Sequence, residues 1–239
     1  MSTLTLVRHG QATPFQEISD RLSPLGQEQA RALGAFWIRE GRGFDEVSTG
    51  SLVRQRRTAE TVGEVYAAAG MPWPTPQVRP EWNEYNVEAI LRHLAPQVER
   101  ASPRFARLME AHRAHRDGPE QNRHFQRMLE ALMQAWVDAD VTHAEVEPWR
   151  AFRDRVQGAL REILAQPGNG RRVAVFTSGG PIAASVQAAL GMPDPNTLEL
   201  NWRVRNGSMT ELVFTAGRLT LDCFNAVPHL DAPRLRSWR

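Results

Sequence analysis

Short apolar runs alternate along the chain with longer segments whose apolar residues recur at three- and four-residue spacing. Leu4-Thr5-Leu6-Val7 is too short for a helix and predicts a buried strand. In the next segment Leu25, Ala30, Leu33, Phe36 and Trp37 fall near one helical stripe. Ser23 is placed to cap this helix, Pro24 suits its first position, and Gly41 ends it. "FDEVST" (44–49) predicts a second strand, and "LVRQRRTAETVGEVYAAAG" (52–70) a second helix stopped by Gly70. The prolines of "MPWPTPQVRP" (71–80) exclude a helix and predict an extended connection into "EWNEYN".

From Val87 to Glu147 the pattern changes. The segment is rich in Arg, His, Gln and Met and poor in β-branched residues, which predicts helices. Pro103 and "RDGPE" (116–120) would divide it into two or three, packed as an inserted cap over one end of a sheet. "WRAFRDRVQGALREILAQ" (149–166) then predicts a return helix, "VAVFTS" (173–178) a strand, and Pro181 to Leu190 another helix. "RVRNGSMTELVFTAGRLTLDCFN" (203–225) predicts two strands joined at Ala216-Gly217. Strands alternating with helices predict one α/β domain over 1–239: three layers, with a mostly parallel sheet flanked by helices and a helical cap inserted at 87–147. In such sheets ligands bind beyond the carboxyl ends of the strands. Two turns lie there, Arg8-His9-Gly10-Gln11 and Thr177-Ser178-Gly179-Gly180.

Composition narrows the compartment and the partners. A chain of 239 residues, 41% hydrophobic, is enough for one sizeable core. All 29 basic residues are arginine, yet 27 acidic residues nearly balance them, so overall charge does not point to a polyanionic partner. The one cysteine, Cys223, excludes an intrachain disulfide and fits a reducing compartment. Arg8 and His9 interrupt the first apolar run, and no segment approaches the ~20 apolar residues of a membrane span. These features predict a soluble cytoplasmic protein without membrane association.

By itself, Arg8-His9-Gly10 would equally suit an incidental histidine at a strand end. Its companions alter that balance. "LVRHG" resembles the opening motif of the histidine phosphatase superfamily, the phosphoglycerate-mutase-like proteins. "LSPLGQEQARALG" resembles that family's first helix, and "SLVRQRRTAE" its pattern of an arginine four residues before Thr-Ala. "WNEYN" resembles the acidic motif preceding the cap, "VAVFTSGGPI" the strand that normally ends Ser-His-Gly-Gly, and "FNAVPHL" a common tail. The motifs stand in the family's order and span most of the chain outside the insertion.

The resemblance implies a phosphohydrolase of the histidine acid phosphatase type. His9 would be the nucleophile that forms a phosphohistidine, its other ring nitrogen held as a donor to a backbone carbonyl. Arg8 and Arg54 would clamp the phosphoryl oxygens, because a guanidinium is always charged and bonds bidentately. Glu84 would be the general acid and later the base, with Glu81 as its rival; "NEY" fits the family pattern better. Gln11 and Thr13 would add hydrogen bonds to phosphate. The chain departs from the family at Ser178, where a second histidine normally stands. Serine donates one hydrogen bond but brings no charge. The backbone N–H groups of Gly179 and Gly180 at a helix start would supply an anion site in any case, and Ser178 could cap that helix as well.

Other chemistries fit less well. Phe176 occupies the first glycine position of a G-x-S-x-G elbow, so Ser178 is not placed as a hydrolase nucleophile. The glycine turns match neither a dinucleotide fingerprint nor a P-loop. Arg113 and Arg116 flank His112 and His115 and oppose a metal there. Glu99 and Glu110 interleave with Arg100, Arg104 and Arg107, which disfavours a nucleic-acid face. His93, His112, His115, His124 and His143 are candidates to replace the missing histidine, and nothing selects among them. The residues after "RHG" do not match the mutase pattern. The expectation is therefore hydrolysis of a phosphorylated metabolite or phosphoprotein through His9, with no cofactor and no metal. The alternative is a catalytically impaired phospho-ligand binding or scaffolding protein that kept the arginine clamp.

Overall fold

The computed structural model describes residues 1–13, 20–116 and 118–238. Its strands are β1 (Ser2–Arg8), β2 (Glu46–Thr49), β3 (Gln77–Val78), β4 (Arg172–Thr177), β5 (Met209–Thr215) and β6 (Arg218–Ala226). They form one sheet in the order β3-β2-β4-β1-β5-β6. The first four run parallel, and β5 and β6 extend the sheet antiparallel. β1 and β4 are the central pair, in register from Thr3↔Arg172 to Arg8↔Thr177, so their carboxyl ends open side by side.

Strict alternation along these two strands builds the layers. Val7, Ala174 and Phe176 face Leu33 and Trp37 of α1 (Pro24–Arg39) and Val62 and Tyr66 of α2 (Val53–Ala68). Leu4, Leu6, Val173 and Val175 face the other way, toward Phe152, Val156 and Leu160 of α7 (Trp149–Ala165) and Ile182 of α8 (Gly179–Leu190). Both faces are covered, which is why these strands read as unbroken apolar runs. α1 starts as predicted, with Ser23 Oγ accepting from Gly26 N at 3.0 Å and Pro24 in its first turn. No described helix is long and apolar enough to cross a membrane.

The segment expected as two or three helices holds four described ones: α3 (Val87–His93), α4 (Ala95–Ala101), α5 (Pro103–Ala114) and α6 (Gln121–Val137). Pro103 makes the expected break, with Ser102 Oγ capping Phe105 N at 3.2 Å. The additional break falls at Leu94, because Pro96 has no N–H to continue the ladder of α3 and fits only the first turn of a new helix. Asp117, within the other expected break, lies outside the described residues. α8 begins at Gly179, two residues before the predicted start. A further described helix, α9 (Asp194–Asn201), lies outside the expectation from the sequence; Pro195 stands in its first turn.

The turn after β1 is held against the start of α1 by two glycines in contact. A Cβ on Gly10 would lie 2.3 Å from Gly26 O, and one on Gly26 would lie 2.1 Å from Gln11 O. Both obstacles are backbone, so neither can swing aside. Gly26→Ala is therefore expected to destabilise the fold by about 1–3 kcal/mol, the usual cost of overpacking. A urea denaturation midpoint tests this, and an unchanged midpoint would contradict the close approach.

Candidate active site

His9 follows β1 directly, and its backbone N–H donates to Thr177 O at 2.9 Å, continuing the β1–β4 pairing past the strand end. The ring is buried. Its Nδ1 lies 2.7 Å from Gly10 O. A carbonyl oxygen only accepts, so Nδ1 carries the proton and Nε2 keeps its lone pair. That nitrogen accepts from Arg54 Nε at 3.1 Å. Burial, and then the charges of Arg54 and Arg8, hold the imidazole well below the usual histidine pKa, against the opposing effect of the Gly10 hydrogen bond. The ring is thus kept neutral, with its unprotonated nitrogen beside two cations.

Arg54 stands in the first turn of α2. Thr58, one helical turn on, donates through Oγ1 to Arg54 O at 2.7 Å and accepts from Gly10 N at 3.1 Å. This threonine ties the arginine's helix to the histidine's turn and gives the Arg-to-Thr spacing of the motif a physical purpose. Asp20 completes the arrangement. Its carboxylate accepts from Val53 N at 2.7 Å and from Arg54 Nη1 at 2.7 Å, so it both caps α2 and orients the guanidinium. Arg8 donates through Nη1 to Val204 O.

Glu84 comes from the loop after a single 3₁₀ turn, Pro80–Trp82. Asn83 anchors that loop through a reciprocal pair with Ser51, at 2.7 Å from Ser51 N and 2.8 Å to Ser51 Oγ. Arg155 holds it from the far side, donating to Glu81 O at 2.8 Å and Asn83 O at 3.2 Å while paired with Glu147. The Glu84 carboxylate accepts from Gly180 N at 3.1 Å, in the first turn of α8. A Cβ on Gly180 would lie 2.1 Å from Glu84 Oε1, so only glycine admits the carboxylate here. Burial raises the Glu84 pKa above the usual carboxylate value, against the opposing pull of the Gly180 N–H, Arg54, Arg8 and the Tyr85 N–H. Glu81, its rival, is directed outward beside Arg79, at 3.8 Å.

Ser178 occupies the N-cap position of α8, but its side chain makes no capping bond. Its Oγ instead accepts from Gln55 Nε2 at 2.9 Å, and the residue is buried. Gln11 Oε1 accepts from Ser23 Oγ at 2.9 Å, and Thr13 N donates to Arg21 O at 2.9 Å, so both belong to the loop that leads from β1 toward α1. Gly179 packs against Asn201, whose Oδ1 would lie 2.6 Å from a Cβ there, and Asn201 Nδ2 donates to Tyr85 Oη at 3.0 Å. The structure therefore brings His9 and Arg54 into contact, sets Arg8 close enough to depress His9, and delivers Glu84 to Gly180. The candidate replacement histidines lie elsewhere: His93 stacks on His143 at 4.3 Å, His115 on His124 at 4.1 Å, and His112 packs on Phe125.

Residue-type reasoning passed over Asp20, Gln55 and Asn201. Asp20 precedes the capped helix in sequence but acts on another helix, and Gln55 sits among arginines that read as a solvated face. Among the described residues around His9, the Asp20 carboxylate is engaged by Arg54 and Val53 N and the Glu84 carboxylate by Gly180 N, while the unprotonated ring nitrogen faces Arg54, an arrangement suited to an anion. The ligand atoms of His115, Glu120 and His124 lie within 4.8 Å of one another. Their histidine rings, however, stack with 15° between planes, so one ion cannot lie in both ring planes, and Arg123 already pairs with Glu120 at 2.9 Å.

The chain matches the family model described as Histidine phosphatase superfamily (branch 1) over residues 4–138 and 105–227. No curated protein sequence matches it. Among solved structures it is similar to a mycobacterial glucosyl-3-phosphoglycerate phosphatase in complex with inorganic phosphate, at 22% identity and TM-score 0.63, over 96% of this chain and 99% of that one. It is also similar to a putative alpha-ribazole-5'-P phosphatase from Escherichia coli, at 19% identity and TM-score 0.62, over 94% and 96% of the two chains. A third similar structure is a phosphoserine phosphatase mutant from Entamoeba histolytica with phosphoserine, at 18% identity and TM-score 0.60, over 96% and 100%. At these identities the likenesses show a shared fold.

The tautomer and charge of His9 are directly measurable. Nitrogen-15 NMR of the folded protein is expected to show an Nδ1–H ring that stays neutral as pH falls through the ordinary histidine range near 6.5. A His9 resonance that titrates at or above that value would contradict this electrostatic account.

Proposed function

The chain belongs to branch 1 of the histidine phosphatase superfamily, and on that premise we propose that it is a phosphomonoesterase working through a phosphohistidine on His9. One observation carries this reading: a buried histidine whose Nδ1 is committed to Gly10 O, leaving Nε2 as a lone-pair nitrogen beside Arg54. A binding protein gains nothing from an unprotonated nitrogen in an anion site, whereas a nucleophile requires one.

The steps follow from the protonation states. His9 Nε2 attacks phosphorus, the P–O bond to the leaving group breaks, and Glu84 gives its carboxyl proton to the departing oxygen. The carboxylate left on Glu84 then takes a proton from water, whose oxygen attacks phosphorus as the P–N bond breaks. Inorganic phosphate leaves, with His9 neutral and Glu84 protonated again. Arg8 and Arg54 balance the charge of the transferring group, which removes the need for a metal. Ser178, Gly179, Gln11 and Thr13 supply hydrogen bonds around it. The raised Glu84 pKa keeps this group in its acid form to higher pH than an ordinary carboxylate, and the lowered His9 pKa keeps the nucleophile unprotonated on the acid side. The four helices of 87–147 form the cap that meets the leaving group and sets the substrate class, a phosphorylated metabolite or phosphoprotein.

Hydrolysis of an aryl phosphate between about pH 4 and 8, where carboxyl and imidazole groups titrate, tests the reading. Wild type is expected to turn over and His9→Ala to be inactive. Arg54→Ala is expected to lose about 10²–10³ in kcat/KM, as for removal of one preorganised charged donor. Activity should fall as pH rises through the Glu84 pKa, and Glu84→Gln should be slower and lose that alkaline limb. A wild type that binds vanadate but hydrolyses nothing would instead establish a phospho-ligand binding protein.

A further inference from the structure

The side chain that follows Arg54 in α2 turns inward. Gln55 is fully buried, and each polar atom of its amide is engaged. Nε2 donates to Trp82 O at 3.1 Å and to Ser178 Oγ at 2.9 Å, and Oε1 accepts from Leu52 N at 3.4 Å. The orientation of the amide is fixed by chemistry. Trp82 O is a carbonyl and Leu52 N is a donor, so exchanging the amide oxygen and nitrogen would set like against like at both. The space is also built for it: a Cβ on Gly50 would lie 2.0 Å from Gln55 Oε1.

This fixes what Ser178 can do. Its oxygen accepts a hydrogen bond from Gln55, so its own O–H is free to be offered elsewhere. Among the described residues no acceptor takes it, and the side chain does not cap α8. Ser178 adjoins Thr177, whose carbonyl accepts from the His9 N–H, and Gly179–Gly180, where Glu84 is bound. A hydroxyl that accepts one hydrogen bond is polarised into a stronger donor for the next. We infer that Gln55 is a positioning residue, which holds Ser178 with its hydroxyl proton directed to the phosphoryl oxygens. The pair thereby supplies a neutral, preorganised donor at the place where the resemblance expects a charged one. α2 thus delivers two neighbouring residues to one ligand, Arg54 directly and Gln55 through Ser178. The inference rests on the phosphatase reading of the site.

A double-mutant cycle and one crystal structure test it. Ser178→Ala is expected to lower kcat for aryl phosphate by about ten- to a hundredfold, part of the effect of one oxyanion donor. Gln55→Met, similar in size but without donors, is expected to lower kcat by a comparable factor with little change in KM. If Gln55 works through Ser178, the double variant is no slower than Ser178→Ala. Losses that multiply independently, or a Gln55→Met protein with wild-type kcat, would overturn the inference. Should Gln55→Met not fold, the wild-type protein crystallised with orthovanadate decides the matter. Ser178 Oγ is expected within about 2.5–3.0 Å of a vanadate oxygen while still bonded to Gln55. A hydroxyl turned away from vanadate overturns the role. The two readings fail separately. An active wild type with no Gln55–Ser178 coupling overturns only this inference. A wild type that neither hydrolyses aryl phosphate nor binds vanadate overturns the phosphatase reading and this inference with it.

Discussion

The parallel pairing of β1 with β4 is the constraint on which the site depends. It is the central pair of the sheet, buried on both faces, and it runs to Arg8↔Thr177. One further bond, His9 N to Thr177 O, carries it into the loops and sets His9 beside Ser178. A slip of one residue would send Leu4 and Leu6 to the α1–α2 face and Val7 to the other, so two apolar layers enforce the register. The backbone position of the histidine is therefore set by the register of the core pair together with its own bond to Thr177 O. Two more pieces are then fastened to this pair: α2 through Thr58, and the Glu84 loop through Trp82 O, which accepts from Thr177 Oγ1 at 2.6 Å.

The electrostatics are opposed by design of position. His9 and Glu84 are both desolvated, and burial disfavours the charged form of each, lowering one pKa and raising the other. The arginines then act in the same direction on both groups, since a cation depresses the pKa of an imidazole and of a carboxyl alike. For His9 this reinforces burial. For Glu84 it opposes burial, and burial prevails. The outcome is a neutral imidazole beside two arginines and a carboxyl inclined to keep its proton, which is the pairing that the proposed acid-assisted phosphoryl transfer needs.

The framework of the fold was legible because burial writes itself in periodicity. Leu4, Leu6 and Val7, or Val173 to Phe176, read as strands since both faces are covered, and Ser23-Pro24 read as a helix start since capping is local chemistry. Features that depend on proline within an otherwise helical pattern, such as the break at Leu94, were harder, because Pro96 marks either an interruption or a new first turn. At the site, His9, Arg54 and Glu84 could be singled out because their motifs resemble those of the histidine phosphatase superfamily; His9 follows a strand, Arg54 stands in the first turn of a helix, and Glu84 lies in the loop after a 3₁₀ turn. Asp20 could not, since it acts on Val53 N across 33 residues of chain. Gln55 could not either. A glutamine flanked by Arg54, Arg56 and Arg57 looks solvated until the fold buries it against Trp82 O and Ser178. The structure places Glu84, preferred over Glu81, against Gly180, whose lack of a Cβ admits the carboxylate, a feature that composition does not reveal.

The claim that matters most is that His9 Nε2 bonds to phosphorus. It is tested by mixing the protein with a phosphomonoester, quenching within the first turnover under alkaline denaturing conditions, and mapping phosphate by mass spectrometry. The account predicts an acid-labile, alkali-stable phosphate on the His9 peptide, absent from His9→Ala. Turnover by wild type with no phosphate on His9, and activity retained in His9→Ala, would contradict it.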